Sequence, residues 1–287
     1  MTSKYALFLG CTIPVRANAY EVATRKVAEK LGLELIDMNG VRCCGSPAME
    51  SLDRQTALAV AARSICEAEK MGLNMMTLCN GCAEVLGKAN NTLKKDPKLR
   101  EEINSILSEV EHEFKGGIEV KHLVRVLTED VGLEAIKTTI TKPFGALRVA
   151  VHPGCHMMRP SDVVGFDDPL EPTALRNLVE LTGAETVHFP DETECCAASV
   201  LAVREDLATE IARKKIAVAV KYADIMVTAC PFCYLMYEVS QLTAEEMLKL
   251  PVVHYPQLLG LAMGMGYDDL AMGENRIDCS KMKEFQT

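Results

Sequence analysis

The chain has 287 residues, of which 48% are apolar and 25% charged, as is typical of a globular protein with ample core material. Its net charge of −9 argues against a nucleic-acid partner, and without a run of about 18 apolar residues it is not expected to span a membrane. Its twelve cysteines come without a secretory signal, which disfavours an extracellular disulfide scaffold. This combination indicates metal or redox chemistry in a cytoplasmic protein.

In the first half of the chain, short apolar stretches alternate with stretches whose apolar residues recur at helical spacing. We predict strands at 5–9, 33–37, 74–78 and 120–122. We predict helices at about 20–31 and 58–68. The first three strands lead into cysteines, namely Cys11, the vicinal pair Cys43-Cys44, and Cys79 with Cys82. A charged insert at about 88–117 is expected to hold one exposed helix over 97–114.

The second half repeats this order after a boundary near 141–145, so we predict two domains at 1–143 and 144–287. Strands are expected at 149–153, 185–189, 225–229 and 252–254, with a helix over 203–218. The cysteines recur as Cys155, the vicinal pair Cys195-Cys196, and Cys230 with Cys233. A longer loop spans 159–172, and a polar tail follows residue 264. Only Cys66 and Cys279 fall outside the repeat.

Strands that alternate with helices predict an α/β fold of two pseudo-symmetric halves, built from βαβ units with mostly parallel sheets. In such sheets, ligand-binding groups gather at the carboxyl ends of the strands. All ten repeat cysteines follow predicted strands, so we expect three loops to bring five thiols together in each half.

Several kinds of site could use five thiols. A structural zinc site needs four ligands, and an ordinary cubane cluster also needs four, so each leaves one thiol over. A thioredoxin-like redox CxxC leaves six cysteines unexplained, and structural disulfides do not suit a cytoplasmic protein. The Cα atoms of adjacent cysteines lie about 3.8 Å apart. Their thiolates reach two irons of one cluster more easily than a single ion, which favours a polynuclear, non-standard iron–sulfur cluster.

The repeated pattern C…CC…CxxC resembles the cysteine-rich CCG-domain family over nearly the whole chain. Within that family, the sequence is most similar to the B-type subunit of CoB–CoM heterodisulfide reductases. The motifs that carry this resemblance are Phe8-Leu-Gly-Cys11, Cys79-Asn-Gly-Cys82, Gly154-Cys155-His156, Cys230-Pro-Phe-Cys233 and Gln257-Leu-Leu-Gly-Leu-Ala-Met-Gly264. One departure is Ala197, which stands where the family has a glycine after the second vicinal pair; it is expected to cost little if the backbone there is unstrained.

The resemblance implies that the five cysteines of each half hold a noncubane [4Fe-4S] cluster. It further implies that the disulfide of coenzyme M and coenzyme B is reduced between the two clusters. This chain shows no flavin or nucleotide fingerprint, so electrons are expected from a ferredoxin-like iron–sulfur partner of the C type and, behind it, a flavin-bearing partner of the A type. Two alternatives stay open. One is an electron-relay subunit of a succinate dehydrogenase, fumarate reductase or hydroxyacid oxidase complex, and the other is a zinc-stabilised scaffold.

Other side chains near the cysteines are candidates for catalysis or binding. His156 directly follows Cys155 and could protonate a nascent thiolate. Arginines suit the anionic groups of the implied substrate, and the candidates are Arg16, Arg42 and Arg159. Structural roles are expected for His122, His152 and His254. Cys66 is expected to be an inert core thiol and Cys279 an exposed one.

Overall fold

The computed structural model describes residues 3–41, 43–244 and 248–286. In this part of the chain, eight strands form two four-stranded sheets in which every pairing is parallel. The first sheet, in the order β2-β1-β3-β4, contains β1 (Ser3–Phe8), β2 (Leu33–Asp37), β3 (Asn74–Thr77) and β4 (Val120–His122). The second, in the order β6-β5-β7-β8, contains β5 (Arg148–His152), β6 (Glu185–Val187), β7 (Ile225–Thr228) and β8 (Val252–His254). The predicted α/β class with two matching halves is confirmed.

Helices connect the strands and cover the sheets, as parallel strand order requires. The first half contains α1 (Ile13–Arg16), α2 (Asn18–Lys30), α3 (Ser46–Leu52), α4 (Arg54–Met71), α5 (Asn80–Lys95), α6 (Pro97–Ser108), α7 (Leu123–Arg125) and α8 (Leu133–Lys137). The second contains α9 (Ser161–Val164), α10 (Ala174–Leu181), α11 (Glu205–Ala219), α12 (Pro231–Leu242) and α13 (Tyr255–Ala262). A π-helical turn spans Val126–Val131, and short 3-10 turns span Cys155–Met157, Ala198–Val200, Asp268–Leu270, Met272–Glu274 and Ser280–Phe285. No helix within the described ranges is both long and apolar enough to cross a membrane.

The two halves pack closely together and share their apolar cores. Leu7 of β1 and Val151 of β5 belong to one continuous cluster of buried side chains, and Ala6 and Ala150 belong to the other. The hydroxyl of Tyr20 on α2 donates to the carbonyl of Ala229 at the end of β7, with an O–O distance of 3.0 Å. The sheets are therefore fixed relative to each other next to their carboxyl ends.

The charged insert differs from its prediction. Its helix α6 ends at Ser108 rather than at residue 114, and the chain then turns back on itself. Asn104 stabilises this turn because its side chain both accepts from the N–H and donates to the carbonyl of Phe114. Ile103, Leu107 and Phe114 are buried, so one face of the insert packs into the core and only the other is exposed.

The predicted exposure of Cys279 is wrong. The residues after 264 form three 3-10 turns, and Cys279 is only 1% exposed among them. Its sulfur lies 3.4 Å from the hydroxyl of Tyr267. The buried carboxylate of Glu238 on α12 accepts the N–H groups of Arg276 and Ile277 and so holds this segment against the second half. Cys66 is buried on α4, as predicted.

A candidate metal centre lined by ten cysteines

All ten repeat cysteines lie at the carboxyl ends of the two sheets. Cys11 and Cys155 follow β1 and β5, and the two vicinal pairs follow the edge strands β2 and β6. Cys79 and Cys230 occupy the N-terminal capping positions of α5 and α12, directly after β3 and β7. In each of these helices, the N–H of the second CxxC cysteine donates to the sulfur of the first. The positive amino termini of these helices therefore face the sulfurs, which favours thiolates there.

One cavity of about 370 Å³ is lined by the cysteines of both halves. Its cysteine lining comprises Cys11, Cys43, Cys44, Cys79, Cys82, Cys155, Cys195, Cys196, Cys230 and Cys233. The sequence predicts a thiol cluster in each half, and the structure places both clusters on the walls of one shared space. Such a space can take a substrate with two ends, one facing each half.

The thiols of the two halves influence one another. The thiol of Cys155 donates to the sulfur of Cys195 at 3.8 Å. Cys79 of the first half and Cys230 of the second each perturb the other's pKa, so the two sets of thiols interact across the interface. Among these thiols, the bond with Cys82 lowers the pKa of Cys44 to about 7, so Cys44 is readily deprotonated.

Asn80 fixes the contact between the halves. Its side-chain nitrogen donates to the carbonyl of Pro153 at 2.8 Å, and its backbone N–H donates to the sulfur of Cys230. Gly154 follows in a left-handed conformation with a φ of +81°, and a Cβ there would lie 2.2 Å from the Asn80 nitrogen. Only glycine therefore allows Asn80 to reach this position.

Ala197 has the same left-handed backbone as the glycine at the equivalent position of the first half. Gly45 and Ala197 follow the two vicinal pairs, and both are left-handed, with φ values of +99° and +64°. The expectation that alanine would cost little depended on an unstrained backbone, and that condition is not met. For a residue with a side chain this conformation costs about 1–2 kcal/mol. The N–H of Ala197 donates to the sulfur of Cys195 at 3.3 Å, so the loop keeps the same contact that Gly45 makes with Cys43.

His156 lines the shared cavity, as a catalytic role requires. Its Nδ1 lies 3.7 Å from the carboxylate of Glu84, a buried residue on α5 in the other half. The neighbouring Glu84 raises the pKa of His156 and so favours its protonated form. Glu84 could not be predicted from the sequence, because its place on α5 gives no sign that it faces a residue of the second half.

Of the arginine candidates, Arg16 and Arg159 do not line the cavity. Arg16 is exposed on α1, and Arg159 uses its guanidinium to donate to the carbonyl of Pro169 within its own loop. Arg42 lies outside the described residues. In the described part of the chain, no lysine or arginine lines the cavity. The placement thus gives Arg159 a loop-stabilising contact, and the substrate-binding role of the three arginines stays a prediction.

Three buried histidines surround the thiol loops. The Nε2 of His122 donates to the Ala229 carbonyl at 3.0 Å, and its Nδ1 accepts the N–H of Val124 at the start of α7. His254 stacks on Tyr20 with a 4.0 Å centroid separation. His152 lies between the Glu192 carbonyl and the Tyr237 hydroxyl. Burial lowers the pKa of all three, to about 4 for His122 and about 3 for His152 and His254, so they are neutral packing and hydrogen-bonding groups.

Lys215 is a buried charge that the sequence analysis missed. It lies on α11 and is only 5% exposed, and its ammonium group donates to the carbonyls of Glu192 and Glu194, just before Cys195. Burial lowers its pKa to about 8. On sequence alone a lysine in a helix is read as a solvated residue, so its burial could not be predicted.

The donor set fits iron–sulfur clusters better than a single small ion. All twelve cysteines are free thiols, and ten of them converge on one cavity from both sides. A tetrahedral zinc site of mixed donors would need a free imidazole. The donor atoms of His152, Cys196 and Cys233 do lie within 4.8 Å of one another. Since Glu192 and Tyr237 already contact the His152 ring, however, the soft thiols remain the available ligands.

Known proteins share the repeated cysteine pattern of this chain. The family described as "Cysteine-rich domain" (CCG) matches residues 5–87 and again 149–238. The B-type subunit of a CoB–CoM heterodisulfide reductase from Methanosarcina acetivorans is 38% identical over 96% of this chain and 94% of that protein. The "8-methylmenaquinol:fumarate reductase membrane anchor subunit" of Wolinella succinogenes is 32% identical over 98% of this chain and 100% of its own length.

A solved structure supports the fold alone. The crystal structure of a hypothetical protein from Helicobacter pylori superposes with a TM-score of 0.77 at 15% identity. It covers 98% of this chain, whereas the chain spans 53% of that protein.

Proposed function

Because this chain belongs to the cysteine-rich CCG-domain family that includes the B-type subunit of heterodisulfide reductases, we propose that it is the disulfide-reducing subunit of such a complex. The observation that carries the proposal is the single cavity lined by ten cysteines, five from each half. In this proposal the substrate is the disulfide of coenzyme M and coenzyme B. The protein acts in a reducing cytoplasm, where its thiols stay free.

The cysteines of each half are proposed to hold one noncubane [4Fe-4S] cluster. The first set is Cys11, Cys43, Cys44, Cys79 and Cys82, and the second is Cys155, Cys195, Cys196, Cys230 and Cys233. When bound, the clusters supply one electron each, which suits a reaction that needs two. Reduction of a disulfide breaks its S–S bond with two electrons and two protons and yields two thiols.

The protein's own side chains position the substrate and deliver protons. The fixed contact between Asn80 and Pro153 keeps the two halves at a constant separation, so both ends of a disulfide can be held at once. His156 lines the wall from the second half and is proposed to hold the proton that a nascent thiolate takes up. Phe232 and Leu201 are partly exposed apolar side chains in the lining, which favour the displacement of water from the cavity.

Electrons must reach the cavity from a partner, because the sequence carries no flavin or nucleotide fingerprint. We propose a ferredoxin-like iron–sulfur protein, the C-type subunit of such complexes, as the direct donor, with the flavin-bearing A-type subunit behind it. Cys11 and Cys43 are exposed, so the first half offers the shorter path from the surface to the thiols.

A turnover assay tests the proposal. The anaerobically purified protein is supplied with a low-potential dye as reductant and the coenzyme M–coenzyme B disulfide, and free thiols are measured. The expected result is two thiols for each disulfide consumed, lost in C44S and C196S but retained in C66A, since Cys66 is a core thiol outside the cavity. Turnover that persists without either half's vicinal cysteine would overturn the two-sided reaction.

A second candidate is electron relay in a fumarate reductase complex. The full-length similarity to the Wolinella succinogenes fumarate reductase protein favours it. In that case the same two sites would be reduced and reoxidised by partner proteins, and the disulfide would yield no thiol. The turnover assay therefore separates the two candidates.

A further inference from the structure

The two halves repeat the same cysteine pattern but differ in the charges around it. When the two repeats are aligned so that Cys79 matches Cys230, without gaps, buried positions of α4 and α11 also match, such as Ile65 and Ile216. In this alignment Lys215 of the second half corresponds to Ser64 of the first. Lys215 is 5% exposed and Ser64 is 2% exposed, so at these two equivalent positions a buried ammonium group is present in the second half and a hydroxyl in the first.

The position of the Lys215 ammonium group directs its charge toward the second set of cysteines. It donates to the carbonyls of Glu192 and Glu194, which lie in the loop that ends at Cys195. Adding an electron to a site beside a positive charge costs less, because the new negative charge is attracted to it.

The first set of cysteines has a buried charge of the opposite sign. Glu84 on α5 is 7% exposed and follows the ligand Cys82 by two residues on the same helix. In the same alignment its counterpart is Leu235 of α12, an apolar residue. A carboxylate makes further negative charge at the first site less favourable, although His156 lies 3.7 Å from it and offsets part of its field when protonated.

The hydrogen bonds to sulfur differ in the same direction. The N–H of Asn80 donates across the interface to Cys230. The equivalent residue in the second half is Pro231, which has no N–H and cannot donate to Cys79. Hydrogen bonds to ligand sulfurs raise the potential of an iron–sulfur centre, as does positive charge nearby.

From these asymmetries we propose that the second site holds its cluster at a higher reduction potential than the first and is reduced first. Lys215 and the Asn80 N–H raise the potential of the second site, and Glu84 lowers that of the first. Exposure of Cys11 and Cys43 acts in the opposite direction. Its effect is limited because three of the five ligands in each site are buried to the same degree, namely Cys44, Cys79 and Cys82 in the first and Cys196, Cys230 and Cys233 in the second.

The inference rests on the proposed function, since it requires a cluster in each half, and a redox titration followed by electron paramagnetic resonance tests it. The variants C44S and C196S, each lacking one site, assign the two signals. In K215M the midpoint potential of the second site should fall by about 59 mV, which corresponds to a tenfold change in the equilibrium constant for one-electron reduction. E84Q should move the first site to higher potential. K214M is the matched control, since Lys214 is exposed and paired with Glu210 on the same helix, and it should move neither signal.

The outcomes separate this inference from the proposed function. Wild-type protein without iron would overturn both. Two clusters with equal potentials, or a second-site potential that K215M leaves unchanged, would overturn the inference alone. K215R keeps the charge and should restore the wild-type potential. If both K215M and K215R lost the iron of the second half, Lys215 would have a structural role only, and the inference would also be overturned.

Discussion

Replacement of Gly154 by alanine tests whether the contact between the halves is as close as the structure shows. Gly154 has a φ of +81°, and a Cβ would lie 2.2 Å from the side-chain nitrogen of Asn80. With a ψ of +137° this backbone lies in a region that glycine alone adopts readily, so a residue with a side chain costs about 1–3 kcal/mol there. Displacing Asn80 breaks its buried bond to Pro153 and leaves a polar group unsatisfied, which costs about 1–3 kcal/mol more. We expect G154A to lower the free energy of unfolding by roughly 2–6 kcal/mol.

Urea denaturation of the purified protein, followed by circular dichroism, measures this change. Gly132 is a matched control because its backbone is nearly the same, with a φ of +84° and a ψ of +145°, but an added Cβ meets no atom within 4 Å. G132A should therefore show the backbone cost of about 1–3 kcal/mol alone. If G154A lost no more stability than G132A, Asn80 would not be held against Gly154, and the account of the interface would be wrong.

Three further changes test other parts of the structure. C196S should remove the iron of the second half, about four irons per chain, whereas C66A should keep the wild-type iron content; equal losses in both would contradict the assigned ligands. His122 and His254 stay neutral when folded, with pKa values lowered from 6.5 to about 4 and about 3, and take up protons when unfolded. The free energy of unfolding should therefore fall as the pH drops below 6.5, by about 2 kcal/mol per histidine at pH 5. H254Q should make this decrease smaller, as measured by urea titrations at pH 7 and pH 5. E238A removes the carboxylate that accepts two backbone N–H groups of the C-terminal segment, and it should cost about 2–4 kcal/mol; an unchanged urea midpoint would show that the segment is held by other contacts.

The arrangement of strands and the positions of the cysteines could be predicted because both follow from local pattern. Parallel strands place their carboxyl ends on one side, so cysteines that follow strands converge whatever the details of packing. That both sets line one cavity depends on how α2 and α13 pack between the halves, and this is not written in any short stretch of sequence. The roles of Asn80 and Glu84 could not be predicted for the same reason, since their partners Pro153 and His156 are distant in the chain.

The structure also differs from the prediction where the sequence has no regular pattern or where a residue is in an unusual environment. The segment around Cys279 forms 3-10 turns without the periodicity that reveals a buried face, so its burial could not be predicted. Lys215 was hidden because a lysine is ordinarily solvated, and only the carbonyls of Glu192 and Glu194 make its burial tolerable. The left-handed conformation of Ala197 is stabilised by the loop around it rather than by the residue itself.

Metal and sulfide analysis of the anaerobically purified chain tests the central claim most directly. If the ten cysteines of the cavity hold two [4Fe-4S] clusters, the protein should contain about eight irons and a matching amount of acid-labile sulfide. It should be brown, and C196S should lose half of both elements. A colourless protein that contains zinc without sulfide would contradict the account and leave a zinc-stabilised scaffold in its place.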